Sequence, residues 1–144
     1  MKVSDIMTKN VIKVGAEESV EVAARALAHY NIGALPVCGS DGKLCGMVTD
    51  RDLVIRSVAA NKSAASTNVR QVMTGQVMSV RPDTDAAVAA HLMGRQQIRR
   101  LPVVENGKLC GMISLGDIAC REESVMDAAD ALSDITCNIS DRSY

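Results

Sequence analysis

The 144-residue sequence predicts an α+β fold, two copies of a strand-helix-strand-strand-helix unit packed sheet to sheet about a pseudo-twofold axis. Three observations predict it. The chain repeats itself, and each copy of about sixty residues is too short to bury a secure core alone. In both copies the apolar residues switch between strand and helix spacing in the same order.

The repeat emerges when the sequence is slid by 66 residues, which lays residues 3–40 on 69–106; dropping one residue in a turn then lays 42–56 on 107–121. Of these 53 aligned pairs, 20 are identical. Val3-x-x-x-Met7-Thr8 matches Val69-x-x-x-Met73-Thr74, and Leu35-Pro36-Val37 matches Leu101-Pro102-Val103. Gly42-Lys43-Leu44-Cys45-Gly46-Met47 matches Gly107-Lys108-Leu109-Cys110-Gly111-Met112, and Asp52 and Arg56 match Asp117 and Arg121.

Each element follows from its local pattern. Val11, Ile12 and Val14, like Val77, Met78 and Val80, form a short β-rich run. A helix follows from about Ser19 to Tyr30, with Val20, Ala23, Ala24 and Leu27 on one face. Its counterpart begins near Asp83–Asp85, just after Pro82, a residue suited to helix starts. Ala34–Cys38 reads as a strand, Gly39–Gly42 as a turn, Leu44–Thr49 as a second strand, and a second helix starts near Asp50. The expected organisation is a first domain over 1–60, a linker over 61–68, a second domain over 69–121 and an acidic tail over 122–144. Within that tail, Glu122–Asp134 is acidic with Val125, Ala129 and Leu132 at helical spacing, which predicts a helix of open role followed by a loose end.

Composition excludes several function classes. Apolar residues make up 47% of the chain while aromatics are nearly absent, so the core is aliphatic. A formal net charge of -1 offers no basic surplus for nucleic acid and no polybasic run for a membrane surface. Apolar runs are far shorter than a bilayer span, and the amino terminus lacks a signal-peptide layout; a cytoplasmic protein is expected. Five cysteines (Cys38, Cys45, Cys110, Cys120 and Cys137), an odd count with no C-x-x-C pair, argue against a disulfide framework and read as small buried hydrophobes. His29 and His91 stand apart from any cysteine cluster, so no metal site is expected. There is no P-loop and no local nucleophile–base spacing, which argues against an enzyme.

Two motifs carry chemistry. Thr49-x-x-Asp52 and Ser114-x-x-Asp117 fall at strand-to-helix junctions, where a hydroxyl followed three residues later by an acid forms a helix capping box. The same carboxylate can instead accept hydrogen bonds from two vicinal ribose hydroxyls, with the nearby hydroxyl and helix N–H groups suiting ribose or phosphate oxygens. Arg99 and Arg100 run into an aliphatic strand, which would put one side chain on each face.

The segments Ile32–Val37 and Gly46–Asp52, matched by Ile98–Val103 and Gly111–Asp117, resemble the two signatures of the CBS domain. The resemblance covers residues 3–121, and two copies in one short chain resemble the free-standing bacterial CBS-pair proteins. It implies a sensor module that catalyses nothing, needs no cofactor and binds an adenine nucleotide in the cleft between the repeats. One site would take Thr8, Ile12, Ile32, Gly33 and Ala34 with Ser114 and Asp117. Its mirror would take Thr74, Met78, Ile98 and Arg99 with Thr49 and Asp52. Arg99 and Arg100 would reach ligand phosphates, with Arg51 and His29 weaker candidates. Gly33 opposite Arg99 makes the two sites unequal, and the Ser114–Asp117 site is expected to fill first. AMP ranks ahead of ADP or ATP, because paired arginines favour a phosphate over a sulfonium; S-adenosylmethionine or an NAD-type ligand is the alternative. The resemblance further implies a homodimer and a separate effector protein. Two rival readings stay open: a ligand-free dimerisation or interaction module, and a redox sensor using Cys38 and Cys45 on one hairpin.

Overall fold

The computed structural model describes residues 1–121 and 124–140, and the side chains of all these except 138–140. Glu122 and Glu123, where the sequence predicts the tail helix to begin, lie outside the described residues, as do 141–144.

In the first repeat, α1 (Val3–Ile6) leads to β1 (Val14–Gly15), α2 (Val20–Tyr30), β2 (Ala34–Cys38), β3 (Leu44–Thr49) and α3 (Asp50–Leu53). α3 continues as a π-helical turn over Val54–Val58. The second repeat opens on a 3-10 turn (Val69–Gln71) and β4 (Thr74–Gly75), followed by α4 (Ala86–Gln96), β5 (Arg100–Glu105), β6 (Lys108–Ser114) and α5 (Leu115–Ala119). α6 (Val125–Ser140) lies beyond the repeat. None of the described helices is long and apolar enough to cross a membrane.

The chain divides into two compact units, and they are not its contiguous halves. One holds Met1–Val11, Met78–Asn106 and the chain from Cys110 onward; the other holds Ile12–Val77 and Gly107–Leu109. Each repeat's lead-in segment therefore packs in the core of the other repeat's unit. Val3 and Ile6 are buried with Leu101, Ile113 and Ile118, while Val69 and Val72 are buried with Leu35, Val37 and Val48.

In the second unit β1 runs parallel to β2, β2 is antiparallel to β3, and β3 is antiparallel to β4, giving one four-stranded sheet. The other unit repeats this order around β5 and β6, but its outer members are single bridges, Val80 to Val103 and Thr8 to Met112. The β-rich runs at 11–14 and 77–80 are thus shorter strands than the sequence predicts, because only Val14–Gly15 and Val80 find partners.

The glycines of the duplicated Gly-Lys-Leu-Cys-Gly-Met hexapeptide have a physical role in this crossing. A Cβ on Gly46 would stand 2.3 Å from the Thr74 carbonyl oxygen. One on Gly111 would stand 2.5 Å from the Met7 sulfur and 3.1 Å from the Thr8 carbonyl oxygen. At Gly46, facing fixed backbone, only glycine lets the lead-in lie this close to the strand. Gly42 and Gly107, both at φ +80°, turn the two hairpins.

Helix starts follow the sequence closely. Ser19 Oγ accepts the Val22 N–H at 3.2 Å to cap α2, and Asp85 Oδ1 accepts the Ala87 N–H at 2.8 Å to cap α4. Of the predicted α2 face, Val20, Ala23 and Leu27 are buried, but Ala24 is exposed. The 61–68 segment is more than a tether. Val20 N–H donates to the Thr67 carbonyl at 2.8 Å, Glu21 N–H donates to the Ala64 carbonyl at 3.0 Å, and Thr67 is buried.

α6 corrects the expectation of a loose end after Asp134, since the helix runs on to Ser140. Its buried stripe is Ala128, Ala131 and Ile135, packed on α4 and α5, whereas Val125 and Leu132 stay 46% and 45% exposed. The contact with α4 is close, since a Cβ on Gly94 would meet Asp134 Oδ2 at 3.0 Å and Ala131 Cα at 3.2 Å.

Candidate functional site

Both hydroxyl-x-x-acid motifs are complete capping boxes. Thr49 Oγ1 accepts the Asp52 N–H at 3.1 Å, and Asp52 Oδ2 accepts the Thr49 N–H at 2.9 Å. Ser114 Oγ accepts the Asp117 N–H at 3.0 Å, and Asp117 Oδ2 accepts the Ser114 N–H at 2.8 Å. Each box uses one carboxylate oxygen and leaves the other, and here the two copies part. Asp52 Oδ1 lies 4.0 Å from Arg56 Nε, and Arg56 also donates to the Val72 and Met73 carbonyls at 3.1 and 3.0 Å. Asp117 Oδ1 has no partner among the described residues, and the matching Arg121 side chain is exposed. Asp117 is therefore the carboxylate with an oxygen available to a ligand, while Asp52 shares its own with a guanidinium.

The structure groups the predicted site residues by unit. In one, Thr8 pairs with Met112 on β6, donating its N–H at 2.8 Å and accepting at 3.0 Å, two residues ahead of Ser114. The same unit holds Met78, Ile98, Arg99, Arg100 and Asp117. The other unit sets Thr74 against Met47 on β3, two residues ahead of Thr49, together with Ile12, Ile32, Gly33, Ala34 and Asp52. Ile12, Ile32 and Ile98 are half-buried, while Thr8, Thr74, Met78, Arg99 and Arg100 are exposed. Gly33 and Arg99 are structural equivalents: the Gly33 carbonyl accepts the Asp50 N–H at 3.1 Å, and the Arg99 carbonyl accepts the Leu115 N–H at 2.8 Å. A Cβ on Gly33 would meet only Asp50 Oδ2, at 3.7 Å, so the glycine keeps space open there.

Strand alternation does not extend to Arg99. Arg99 sits in a bend, and β5 begins only at Arg100, so the period of two does not yet hold. Both arginines and Ser114 line one cavity of about 540 Å³, whose remaining wall comes from α5 and from Val125, Ala128, Ala129 and Leu132 of α6. The α6 wall is the part of the site that sequence reasoning missed. Its signal is present in the Val125, Ala129, Leu132 spacing, which predicts a helix but no role for it.

Arg51 and His29 are exposed. Cys38 is buried, Cys45 and Cys110 are half-buried, and Cys120 and Cys137 are exposed, which corrects the expectation that all five are buried hydrophobes. Cys38 and Cys45 line a second cavity, of about 590 Å³, with Glu17, Lys43 and Arg70. Burial pushes the Cys38 thiol up from its ordinary range, an effect that Lys13 partly offsets, so the group is not an activated thiolate. Among the described residues no three His, Cys, Asp or Glu side chains gather closely enough to hold a metal.

The comparisons agree with this architecture. The CBS domain family matches residues 3–58 and 69–122. An uncharacterized protein of Bacillus subtilis, YlbB, is 40% identical over 136 residues, covering 94% of this chain and 91% of its own. The structure is similar to that of CBSX2 in complex with AMP, with a TM-score of 0.74 at 29% identity, covering 87% of this chain and 98% of the other. It is also similar to the CBS domain pair of MJ0100 in complex with 5-methylthioadenosine and S-adenosyl-L-methionine, with a TM-score of 0.73 at 29% identity, covering 83% and 94% of the two chains. The chain belongs to the CBS domain family, as a tandem pair.

Proposed function

We propose that this CBS pair is a non-catalytic sensor that binds an adenine nucleotide, AMP ahead of ADP and ATP, at its hydroxyl-x-x-acid motifs. The observation that carries this reading is the Ser114–Asp117 motif. Asp117 keeps one carboxylate oxygen unengaged, which can accept hydrogen bonds from ribose hydroxyls, and two arginines line the same unit's cavity beside Ser114. The complexes of CBSX2 with AMP and of MJ0100 with adenosyl ligands support the ligand class. The arginine pair favours a phosphate over the sulfonium of S-adenosylmethionine. Asp52, with Arg56 beside it, forms the weaker site, so one nucleotide binds before any second. We read the protein as a cytoplasmic homodimer that passes the signal to a separate effector protein.

The completeness of both capping boxes favours one other reading, a dimerisation module that has kept its caps without a ligand. Asp52→Ala and Asp117→Ala separate the two. The sensor reading expects Asp117→Ala to abolish AMP binding in calorimetry of ligand-stripped protein, at a stability loss of about 1 kcal/mol for the cap. Absence of heat and of thermal shift with AMP, ADP, ATP and S-adenosylmethionine in the unsubstituted protein would leave the dimerisation reading.

A further inference from the structure

Two features distinguish the second repeat from the first, and they meet at one place. Arg99 and Arg100 replace Gly33 and Ala34, and α6 has no counterpart after the first repeat. The cavity of about 540 Å³ is bounded by both, with Arg99, Arg100 and Ser114 on one side and Val125, Ala129 and Leu132 among the groups on the other. The three α6 residues recur at i, i+4 and i+7, so they form one stripe of the helix. That stripe is not what holds α6 down, because Ala128, Ala131 and Ile135 are the residues it buries. Arg99 and Arg100 have no ion-pair or side-chain hydrogen-bond partner among the described residues. The cavity's volume falls in the range of small-molecule sites, roughly 300–1,000 Å³, and its make-up matches theirs, an apolar wall with a few convergent polar groups.

We propose that this cavity is a binding site for a free amphipathic anion, a carboxylate or sulfonate with a hydrocarbon or aryl body. The guanidinium groups take the head, for which a planar carboxylate offers bidentate geometry, and the α6 stripe covers the body. An aliphatic chain gains from every methylene it buries against a wall of valine, alanine and leucine. The site is made wholly within one unit; it shares Arg99 and Arg100 with the phosphate end of the proposed nucleotide site but needs no nucleotide to form.

Sodium decanoate in calorimetry and 8-anilinonaphthalene-1-sulfonate in fluorescence test it on the full chain without nucleotide. The expected result is saturable binding of one molecule per chain, with decanoate displacing the fluorophore. Ala129→Trp, which fills the cavity, and Leu132→Glu, which opposes the anion, should each weaken binding at least tenfold, as should Arg99→Gln with Arg100→Gln. Circular dichroism melting identifies any variant that fails to fold. Arg25→Gln, which removes an exposed arginine from α2 of the other unit, should bind as before. Binding unchanged in all the cavity variants that fold would overturn the proposal. So would an equal loss of binding in folded Arg25→Gln, retention only on anionic phosphatidylglycerol vesicles, or no saturable binding at all.

Discussion

At the scale of single residues, identity across the two copies hides different physical roles. Gly46 and Gly111 occupy the same place in the duplicated hexapeptide, yet the first faces a backbone oxygen and the second mainly a flexible methionine sulfur. Gly46→Ala is therefore expected to cost about 1–3 kcal/mol or more, and Gly111→Ala less, because Met7 can move aside while the Thr74 carbonyl cannot. Paired urea denaturation curves check the order. Cys38 makes a kinetic prediction. Its thiol is buried and its ionisation is pushed to higher pH, so at pH 8 it should alkylate well after exposed Cys120 and Cys137, and the gap should narrow as pH rises. Mass spectrometry of iodoacetamide-treated protein reads this directly; Cys38 labelling first would contradict it. The hydroxyl-x-x-acid motifs were legible in the sequence as capping boxes, and the boxes form with Oδ2 of each aspartate. What the sequence could not show is the fate of Oδ1, because Asp52 and Asp117 both have an arginine four residues on, and only Arg56 closes on its acid.

Among the elements, α6 is the one whose presence was legible and whose orientation was not. Val125, Ala129 and Leu132 form as good an apolar stripe as Ala128, Ala131 and Ile135, and hydrophobic spacing alone does not choose between adjacent stripes of one helix. Small residues decided it: Gly94 and Ala90 on α4 let α6 approach closely along its alanine side. Ile135→Ala is thus expected to destabilise the protein by about 2–5 kcal/mol. Leu132→Ala should cost about 1 kcal/mol or less, since that side chain is only half removed from water. Thermal melts of the two variants measure the difference, and equal losses would contradict the assigned face. Strand alternation likewise has no hold on Arg99. The period of two belongs to strands, and Arg99 is the last residue before one.

For the whole molecule, the duplication made the fold class legible because the two copies repeat the same spacing of strand, turn and cap residues. It could not reveal that the lead-ins are exchanged, Val3 and Ile6 into one core and Val69 and Val72 into the other, since both copies have identical lead-in patterns and either pairing satisfies them. The exchange makes each core depend on residues from both repeats, so a fragment ending at residue 60 would lack Val69 and Val72 and should not fold cooperatively alone. The repeats are alike in fold and unlike in chemistry, with Gly33 and Ala34 facing Arg99 and Arg100 in the alignment and only Asp117 keeping a free oxygen. The most direct test of the sensor account is calorimetric titration of ligand-stripped protein with AMP, alongside Asp117→Ala and Asp52→Ala. The account expects one dominant site per chain that disappears in Asp117→Ala and persists in Asp52→Ala. Binding that survives Asp117→Ala unchanged, or that disappears only in Asp52→Ala, would contradict it.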